Sequence, residues 1–279
     1  MIIKHLAQEP LAFETIIDRD GTNADMLLDF GLLRIASGDS WSSGNADEKA
    51  FLLISGGAEL IWPVEGGVGD RNFASARAAR RSVFDESPSV LHLSEGSEAR
   101  IVAGPQGAEF AVIRTGNTRR FAARLYRPED CRSEERGKGT MGETSTRIVR
   151  TVFDNSNAPE AMLVLGEVVA APGKWSSYPP HHHPQPEIYH YRFAPDSGFG
   201  LTAIGAEAHV IENRDTVLIR AGQVHPQAAA PGYAMWYLWV IRHLAGDRYH
   251  VPTFAPEHAW VMEKGAAISA PPSERGDER

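Results

Sequence analysis

Three consecutive histidines between prolines, followed by a glutamate, constrain this chain more than any other stretch. They lie in Gly173-Lys-Trp-Ser-Ser-Tyr-Pro-Pro-His-His-His-Pro-Gln-Pro-Glu187, which leads into an aromatic-rich run typical of a strand. Side chains alternate between faces in an extended segment, so His181 and His183 face one way and His182 the other. The spacing His-x-His-x-x-x-Glu therefore predicts that two imidazoles and the Glu187 carboxylate converge on one metal ion.

A fourth ligand is expected from a strand distant in sequence. Arg220-Ala-Gly-Gln-Val-His225 provides it, because a glycine turn after an apolar run delivers His225 to the start of another strand. In the strand that follows the histidines, Glu187, Tyr189 and Tyr191 share one face. These three side chains are accordingly the catalytic candidates, and Glu187 is also a candidate ligand.

Most of the chain has the pattern of short strands separated by turns. Apolar or alternating runs are bounded by Gly, Asp, Asn and Ser, and no long helical period intervenes. The strands predicted in the first half are 11–17, 32–36, 50–55, 58–62, 90–93 and 108–114. Those predicted in the second half are 161–169, 188–193, 200–204, 208–212, 217–219 and 233–241. An all-β fold of sandwiches or barrels follows.

The two halves echo each other. Gly38-Asp-Ser-Trp-Ser-Ser43 resembles Gly173-Lys-Trp-Ser-Ser177, and Glu48 precedes an apolar strand much as Glu187 does. We interpret this as a duplicated barrel whose first copy lacks a metal site. In that copy His92 is expected on a solvent-exposed strand face. The predicted domains are an N-terminal barrel over 1–130, a metal-binding barrel over 131–265 and a disordered tail over 266–279.

Between the copies, residues 119–142 are charged and rich in glycine. The composition favours an interdomain linker. The alternative is that Arg136 or Lys138 folds over the pocket and binds a carboxylate.

Composition excludes several classes of protein. The formal charge is −8, with 28 Lys and Arg against 36 Asp and Glu, and no basic block compensates, so a nucleic-acid partner is not expected. The single cysteine rules out an internal disulfide, and no signal peptide or membrane-length apolar run is present. These features predict a cytoplasmic protein that has no membrane partner.

The two-part ligand motif, His-x-His with a nearby Glu and then Gly-x-x-His, is similar to that of the cupin barrel. The stretch 173–183 resembles the 5-deoxy-glucuronate isomerases of bacterial inositol catabolism, whose pattern is Gly-x-Trp-Ser-Ser-Tyr-Pro-Pro-His-Lys-His. Related uronate ketol-isomerases of pectin breakdown share the metal motif. The resemblance continues at 136–138, 231–233 and 256–261. The segment Pro184-Gln-Pro186 departs from it, because inositol-pathway members usually carry a longer acidic insertion there.

The resemblance implies two tandem cupin barrels, each a jelly roll, with His181, His183, Glu187 and His225 as metal ligands. It also implies a homo-oligomer that converts 5-deoxy-D-glucuronate to 5-dehydro-2-deoxy-D-gluconate. The cofactor would be a divalent metal, zinc first, with manganese, iron or nickel as alternatives, and no organic cofactor. Such an ion stabilises the ene-diolate formed when a proton moves between adjacent carbons.

Several assignments stay open at this point. His190 has a suitable pKa for the base but the opposite strand parity, and a metal-bound hydroxide is as plausible as any side chain. The substrate carboxylate should bind an arginine, and Arg147, Arg150 and Arg242 are unranked candidates. Two other functions use the same ligands: an iron-dependent cupin dioxygenase, and a non-catalytic sugar-binding bicupin.

Overall fold

Antiparallel strands dominate the secondary structure, which confirms the predicted all-β class. The computed structural model describes residues 1–4, 13–64, 72–263 and 265–269. The strands of the first half are β1 (Ile2–Ile3), β2 (Phe13–Ile17), β3 (Asp29–Ile35), β4 (Ser40–Ser42), β5 (Glu48–Pro63), β6 (Phe73–Arg80), β7 (Val90–Leu93), β8 (Arg100–Thr115) and β9 (Arg124–Tyr126).

The second half contributes twelve further strands. They are β10 (Arg132–Arg136), β11 (Arg147–Phe153), β12 (Leu163–Ala170), β13 (Trp175–Ser176), β14 (His181–His182), β15 (Glu187–Ala194), β16 (Phe199–Ile204), β17 (Glu207–Glu212), β18 (Thr216–Ile219), β19 (Gln227–Ala229), β20 (Ala234–Arg242) and β21 (Thr253–Phe254). The helical segments are one short helix, α1 (Pro256–Ala259), and 3-10 turns at Ala24–Met26, Pro128–Asp130, Met141–Glu143 and Trp260–Met262. Among the described residues no helix has the length and apolar character needed to cross a membrane.

The first half forms one continuous sheet around two long bent strands, β5 and β8. The sequence predicts two strands over 50–55 and 58–62, but β5 runs through both. Its register against β8 shifts around Gly56, which has a φ of +84°. A Cβ on Gly56 would lie 2.2 Å from the carbonyl oxygen of Gly107, so only glycine permits this bend. The bend lets β5 pair with β7 before it and with β6 after it.

The second half forms a barrel from two facing sheets. The larger sheet has the order β1-β18-β15-β20-β12-β11-β10, and the smaller has the order β13-β19-β16-β17. Their inner faces share a buried apolar cluster that includes Tyr189, Ile204, Ile211 and Met235. The N-terminal strand β1 crosses from the first half to pair with β18.

The two barrels are packed against each other through a second buried apolar cluster. It combines side chains from β3, β5 and β8 with side chains from β15, β18 and β20, such as Phe30 and Leu52 with Ile188 and Leu238. The outer face of the larger second-half sheet is therefore covered by the first barrel, while its inner face is free to line a cavity. The exact domain boundaries stay a prediction, and the predicted tail lies mostly outside the described residues.

Two expectations for the first barrel are wrong. His92 is 1% exposed, because its ring stacks on Phe153 and its Nε2 lies 2.9 Å from Glu48 Oε1. Glu48 is not the counterpart of Glu187, since it faces the interdomain cluster and accepts hydrogen bonds from Asn117 and from the backbone of Met162. The next residue, Lys49, lies on the face that carries Phe51 into the barrel interior.

The charged segment between the barrels is more than a linker. Residues 132–136 form β10, which pairs along its length with β11 at the edge of the large sheet. All five residues of β10 are exposed, so their composition is typical of a loop. The strand forms because its backbone pairs with the edge of β11. The last residue of this strand, Arg136, borders the cavity of the second barrel, and its role as a carboxylate partner stays a prediction.

Candidate metal centre

Strand β15 places its side chains as the alternation predicts. Tyr189 and Tyr191 point into the second barrel, whereas Ile188 packs in the interdomain cluster. Glu187, at the start of the strand, shares the inward face and is 4% exposed. It lies opposite Ile219 of β18 on one side and Ile241 of β20 on the other, so two neighbouring strands hold its backbone.

Three of the four predicted ligands form one compact buried group. The ligand atoms of His183, Glu187 and His225 all lie within 4.8 Å of one another. His183 Nε2 is 3.1 Å from Glu187 Oε2, and His225 Nε2 is 3.2 Å from the same oxygen. Glu187 and His225 are far apart in the sequence. They come close because β18, the strand that precedes His225, pairs antiparallel with β15.

His181, the fourth predicted ligand, lies beside this group but is not one of its three members. Its ring meets the His225 ring edge-on, with 4.8 Å between the ring centroids, and it lines the same cavity. Burial, and next the proximity of His225, lower the pKa of His181 to about 3, so the ring is neutral at physiological pH. A neutral imidazole is the form that ligates metals.

Backbone carbonyl groups set the tautomer of all three histidines. The Nδ1 atoms of His181, His183 and His225 lie 3.0, 2.9 and 2.8 Å from the carbonyl oxygens of residues 179, 185 and 223, respectively. A carbonyl oxygen only accepts, so each Nδ1 carries the hydrogen and each Nε2 keeps its lone pair. Metal-ligating histidines are oriented by this kind of contact in known metal sites.

The donor set fits a divalent cation. The Oε2 atom of the buried Glu187 side chain lies within 3.2 Å of the Nε2 atoms of both His183 and His225. His225 Nε2 is buried near that carboxylate, yet it makes no hydrogen bond within the described part of the chain. Lone pairs on two imidazoles beside a carboxylate oxygen repel one another unless a positive charge lies between them.

Glu187 of this group, together with His181, lines a cavity of about 310 Å³. The cavity follows the inner face of the large sheet from β15 across β20 and β12 to β11. It is lined by Arg136, Arg147, Val149, Thr151, Asp154, Asn155, Ser156, Val164, Val168, Ser177, His181, Glu187, Tyr189, Tyr237, Trp239, Ile241, Tyr249 and His250. This volume is within the range of small-molecule sites.

The two tyrosine candidates have different surroundings. Tyr189 lines the cavity, and its hydroxyl lies 2.9 Å from Ser177 Oγ. Tyr191 is not in the lining, and its hydroxyl donates a hydrogen bond to the side-chain carbonyl of Gln227. Burial raises the pKa of both phenols well above the usual value, with Glu187 adding to the effect at Tyr189. Both therefore hold their protons at neutral pH.

The structure ranks the three arginine candidates. Arg150 is bound to Glu167 and to backbone carbonyls of the first barrel, and Arg242 donates to Thr115 and neighbouring carbonyls on the far side of the sheet. Arg147 alone of the three lines the cavity. Its Nη atoms donate to Ser145 and Tyr178, whereas its Nε is buried without a partner among the described residues.

Sequence reasoning missed several residues of the cavity. Tyr249 packs against the ring of His183, with 5.0 Å between centroids, and Asn155 donates to the carbonyl oxygen of Tyr249. These residues are in loops without hydrophobic period, so no pattern marks them. Trp239 lies in a strand that is apolar on both faces, a pattern typical of a buried strand, but its indole borders the cavity.

Comparison with known proteins gives the same class of fold. The chain matches an oxalate decarboxylase from Lactobacillus farciminis with a TM-score of 0.64 at 11% identity, over 90% of this chain and 86% of the other. A crystal structure of an IolB-like protein from Salmonella typhimurium matches with a TM-score of 0.78 at 24% identity, over 91% and 97%. The fold is thus that of the two-barrel cupins, as predicted.

Sequence comparison identifies the family. The 5-deoxy-glucuronate isomerase of Geobacillus thermodenitrificans is 31% identical over 67% of this chain and 71% of its own length. That of Geobacillus kaustophilus is 29% identical over 85% and 87%, respectively. The KduI/IolB family matches residues 3–261. The chain belongs to the KduI/IolB family, and it is an isomerase.

Proposed function

We propose that this chain converts 5-deoxy-D-glucuronate to 5-dehydro-2-deoxy-D-gluconate in myo-inositol catabolism. The observation that carries the proposal is a cavity lined by Glu187 of the His183, Glu187 and His225 group, which could hold a cation, and by the buried Arg147. An aldehyde with an adjacent hydroxyl suits the cation, and a carboxylate suits the arginine. The names of the relatives agree with this substrate.

His181, His183, Glu187 and His225 would hold the divalent cation, with zinc as the first choice. When bound, the cation supplies Lewis-acid polarisation of a carbonyl and its neighbouring hydroxyl. His181 belongs to this set because its Nδ1 is anchored as in the other two histidines and its ring meets that of His225. Action in the cytoplasm and as a homo-oligomer stays a prediction.

Tyr189 is the proton donor we assign to the substrate oxygens. Its hydroxyl is 2.9 Å from Ser177 Oγ, which in turn accepts a 3.4 Å hydrogen bond from Gln227 Nε2. This arrangement orients the phenol, and its raised pKa keeps it protonated. Glu187 stays ionised and committed to the cation. Tyr191, whose hydroxyl is bonded to Gln227 away from the lining, acts on the substrate only through this network.

Turnover in heavy water tests the reaction. Proton transfer through an ene-diolate should place solvent deuterium on the hydroxymethyl carbon of the product, which NMR detects. The assay is run without oxygen in metal-loaded protein, so that a dioxygenase activity cannot contribute. Complete retention of the original hydrogen would contradict proton transfer, and failure to turn over any deoxy-uronate would contradict the function.

Replacing Arg147 by alanine should lower kcat/KM for the uronate by about 10- to 100-fold, mostly through KM. The reason is that the guanidinium binds a carboxylate remote from the reacting carbons, so it stabilises substrate and transition state alike. Arg147→Lys should recover only part of the loss, because one ammonium cannot reproduce the planar fork. Lys138→Ala is the matched control, since this exposed lysine pairs with Glu135 outside the cavity. A fall in kcat alone would contradict the carboxylate assignment.

A further inference from the structure

Among the tyrosines that line the cavity, Tyr249 is the one whose hydroxyl makes no hydrogen bond within the described part of the chain. The Tyr189 hydroxyl lies 2.9 Å from Ser177 Oγ, and the Tyr237 hydroxyl lies 2.7 Å from Ser176 Oγ. The hydrogen bonds of Tyr249 are made by its backbone alone. A phenol in a protein interior normally has a hydrogen-bond partner, so the Tyr249 hydroxyl is available to a molecule bound in the cavity.

The backbone of Tyr249 is held on both sides. Its N–H donates to Nδ1 of the buried His243 at 3.0 Å, and its carbonyl oxygen accepts from Asn155 Nδ2 at 2.7 Å. Asn155 is oriented in turn, because its Oδ1 accepts from Arg248 Nε at 2.7 Å. Tyr249 is therefore held in place although it lies in a loop. A residue that is already fixed loses little conformational entropy when it binds a ligand.

The ring of Tyr249 lies beside the candidate metal group. It meets the His183 ring edge-on, with 5.0 Å between the ring centroids. His183 Nε2 is 3.1 Å from Glu187 Oε2, and Glu187 lines the same cavity as Tyr249. A substrate whose reacting carbons bind at this group therefore lies near the Tyr249 side chain.

The proposed reaction develops negative charge on two neighbouring substrate oxygens. Hydrogen-bond donors that are in place before the charge develops stabilise it most. Tyr189 is the donor already assigned, and one hydroxyl donates a single hydrogen bond. A second donor would stabilise the other oxygen, and Tyr249 provides a free hydroxyl beside the metal group.

We propose that Tyr249 is a further catalytic residue, whose hydroxyl donates a hydrogen bond to one of the two substrate oxygens at the reacting carbons. This inference rests on the proposed function, because it takes the group of His183, Glu187 and His225 as the binding point of those oxygens. The oxygen gains negative charge during the reaction, so the hydrogen bond is stronger in the transition state than in the substrate complex. Loss of the hydroxyl should therefore lower kcat more than it raises KM.

Tyr249→Phe tests the inference, because it removes the hydroxyl and keeps the ring against His183. It should lower kcat for 5-deoxy-D-glucuronate by about 10- to 100-fold, with little change in KM and full metal content. It should also weaken the binding of glutaric acid monohydroxamate by about tenfold or more, as measured by titration calorimetry on metal-loaded protein. This probe carries a planar pair of oxygens like an ene-diolate, and a carboxylate at its far end. Tyr233→Phe is the matched control and should change neither quantity, because Tyr233 packs on Phe199 outside the cavity lining.

Unchanged kcat and unchanged hydroxamate affinity in Tyr249→Phe would overturn the inference, even if turnover confirms the isomerase. Tyr249→Ala distinguishes a donor from a mere support. If that variant loses metal while Tyr249→Phe behaves as wild type, the ring only positions His183 and the inference is wrong.

The hydroxamate also separates this inference from the proposed reaction. Weaker hydroxamate binding in Tyr249→Phe, without turnover of any deoxy-uronate by the wild-type protein, would support the hydroxyl as a donor while the proposed reaction fails. Absence of both turnover and hydroxamate binding in metal-loaded wild-type protein would overturn both.

Discussion

Replacing His183 by alanine should strip most of the bound metal and lower isomerase activity by at least about 100-fold. His183 Nε2 is one of two imidazole nitrogens within 3.2 Å of Glu187 Oε2, and the backbone carbonyl of Gln185 holds its ring in place. The apo protein should stay folded, because the barrel and interdomain cores are formed by apolar side chains of other residues. Elemental analysis measures the metal, and circular dichroism measures the fold.

His182→Ala is the matched control for this experiment. His182 pairs with Thr253 in a short two-stranded sheet, and its side chain is not in the cavity lining. Metal content and activity should therefore remain near wild type. Full metal occupancy in His183→Ala would remove His183 from the ligand set, and a metal-free His182→Ala would show that the alternation across the three histidines is wrong.

Replacing Glu167 by alanine should lower the free energy of unfolding by about 3–5 kcal/mol. Its Oε1 accepts hydrogen bonds from Arg80 at 2.6 Å and from Arg150 at 2.7 Å, and all three side chains are at most 5% exposed. Arg80 belongs to the first barrel and the other two to the second, so the group joins the barrels. Without the carboxylate, two buried guanidinium groups would face each other uncompensated.

Urea unfolding measures this effect, and two further variants isolate its cause. Glu207→Ala removes an exposed carboxylate whose nearest partner, His209, is 3.5 Å away, and it should change stability by at most about 0.5 kcal/mol. The triple variant Arg80→Met, Glu167→Leu, Arg150→Met should recover much of the loss, since no charge remains to be buried. A loss below about 1 kcal/mol in Glu167→Ala would show that water or backbone carbonyls satisfy both arginines.

The hydrophobic pattern was sufficient to predict that the fold is all-β. It was also sufficient to predict on which face of β15 each side chain lies. Period-two alternation is a property of the extended chain, so Glu187 and Tyr189 necessarily share a face once the strand forms. The same rule did not decide which face of β5 enters the barrel. Glu48 and Glu187 look equivalent in sequence, but a shift of one residue turns Glu48 towards the interdomain core and Lys49 towards the interior.

The exposure of individual residues was the property that the local sequence predicted least well. His92 is polar and lies near charged residues, yet the second barrel covers it and Phe153 stacks on its ring. The exposed strand β10 has the composition of a linker, yet β11 offers it a free edge. In both cases the deciding contact comes from residues far along the chain.

By itself the sequence determined that this protein is built of strands, that it resembles the two-barrel isomerases, and which four residues are the candidate ligands. Those features depend on the spacing of residues that are close in the sequence, or on motifs that can be recognised from the sequence alone. Only the tertiary structure decided that Arg147 lines the cavity while Arg150 joins the barrels, and that Trp239 lies over Gly166 on its floor. These contacts depend on which strands are neighbours in the sheet. Strand pairing joins residues that are distant in the sequence, so a local pattern does not predict it.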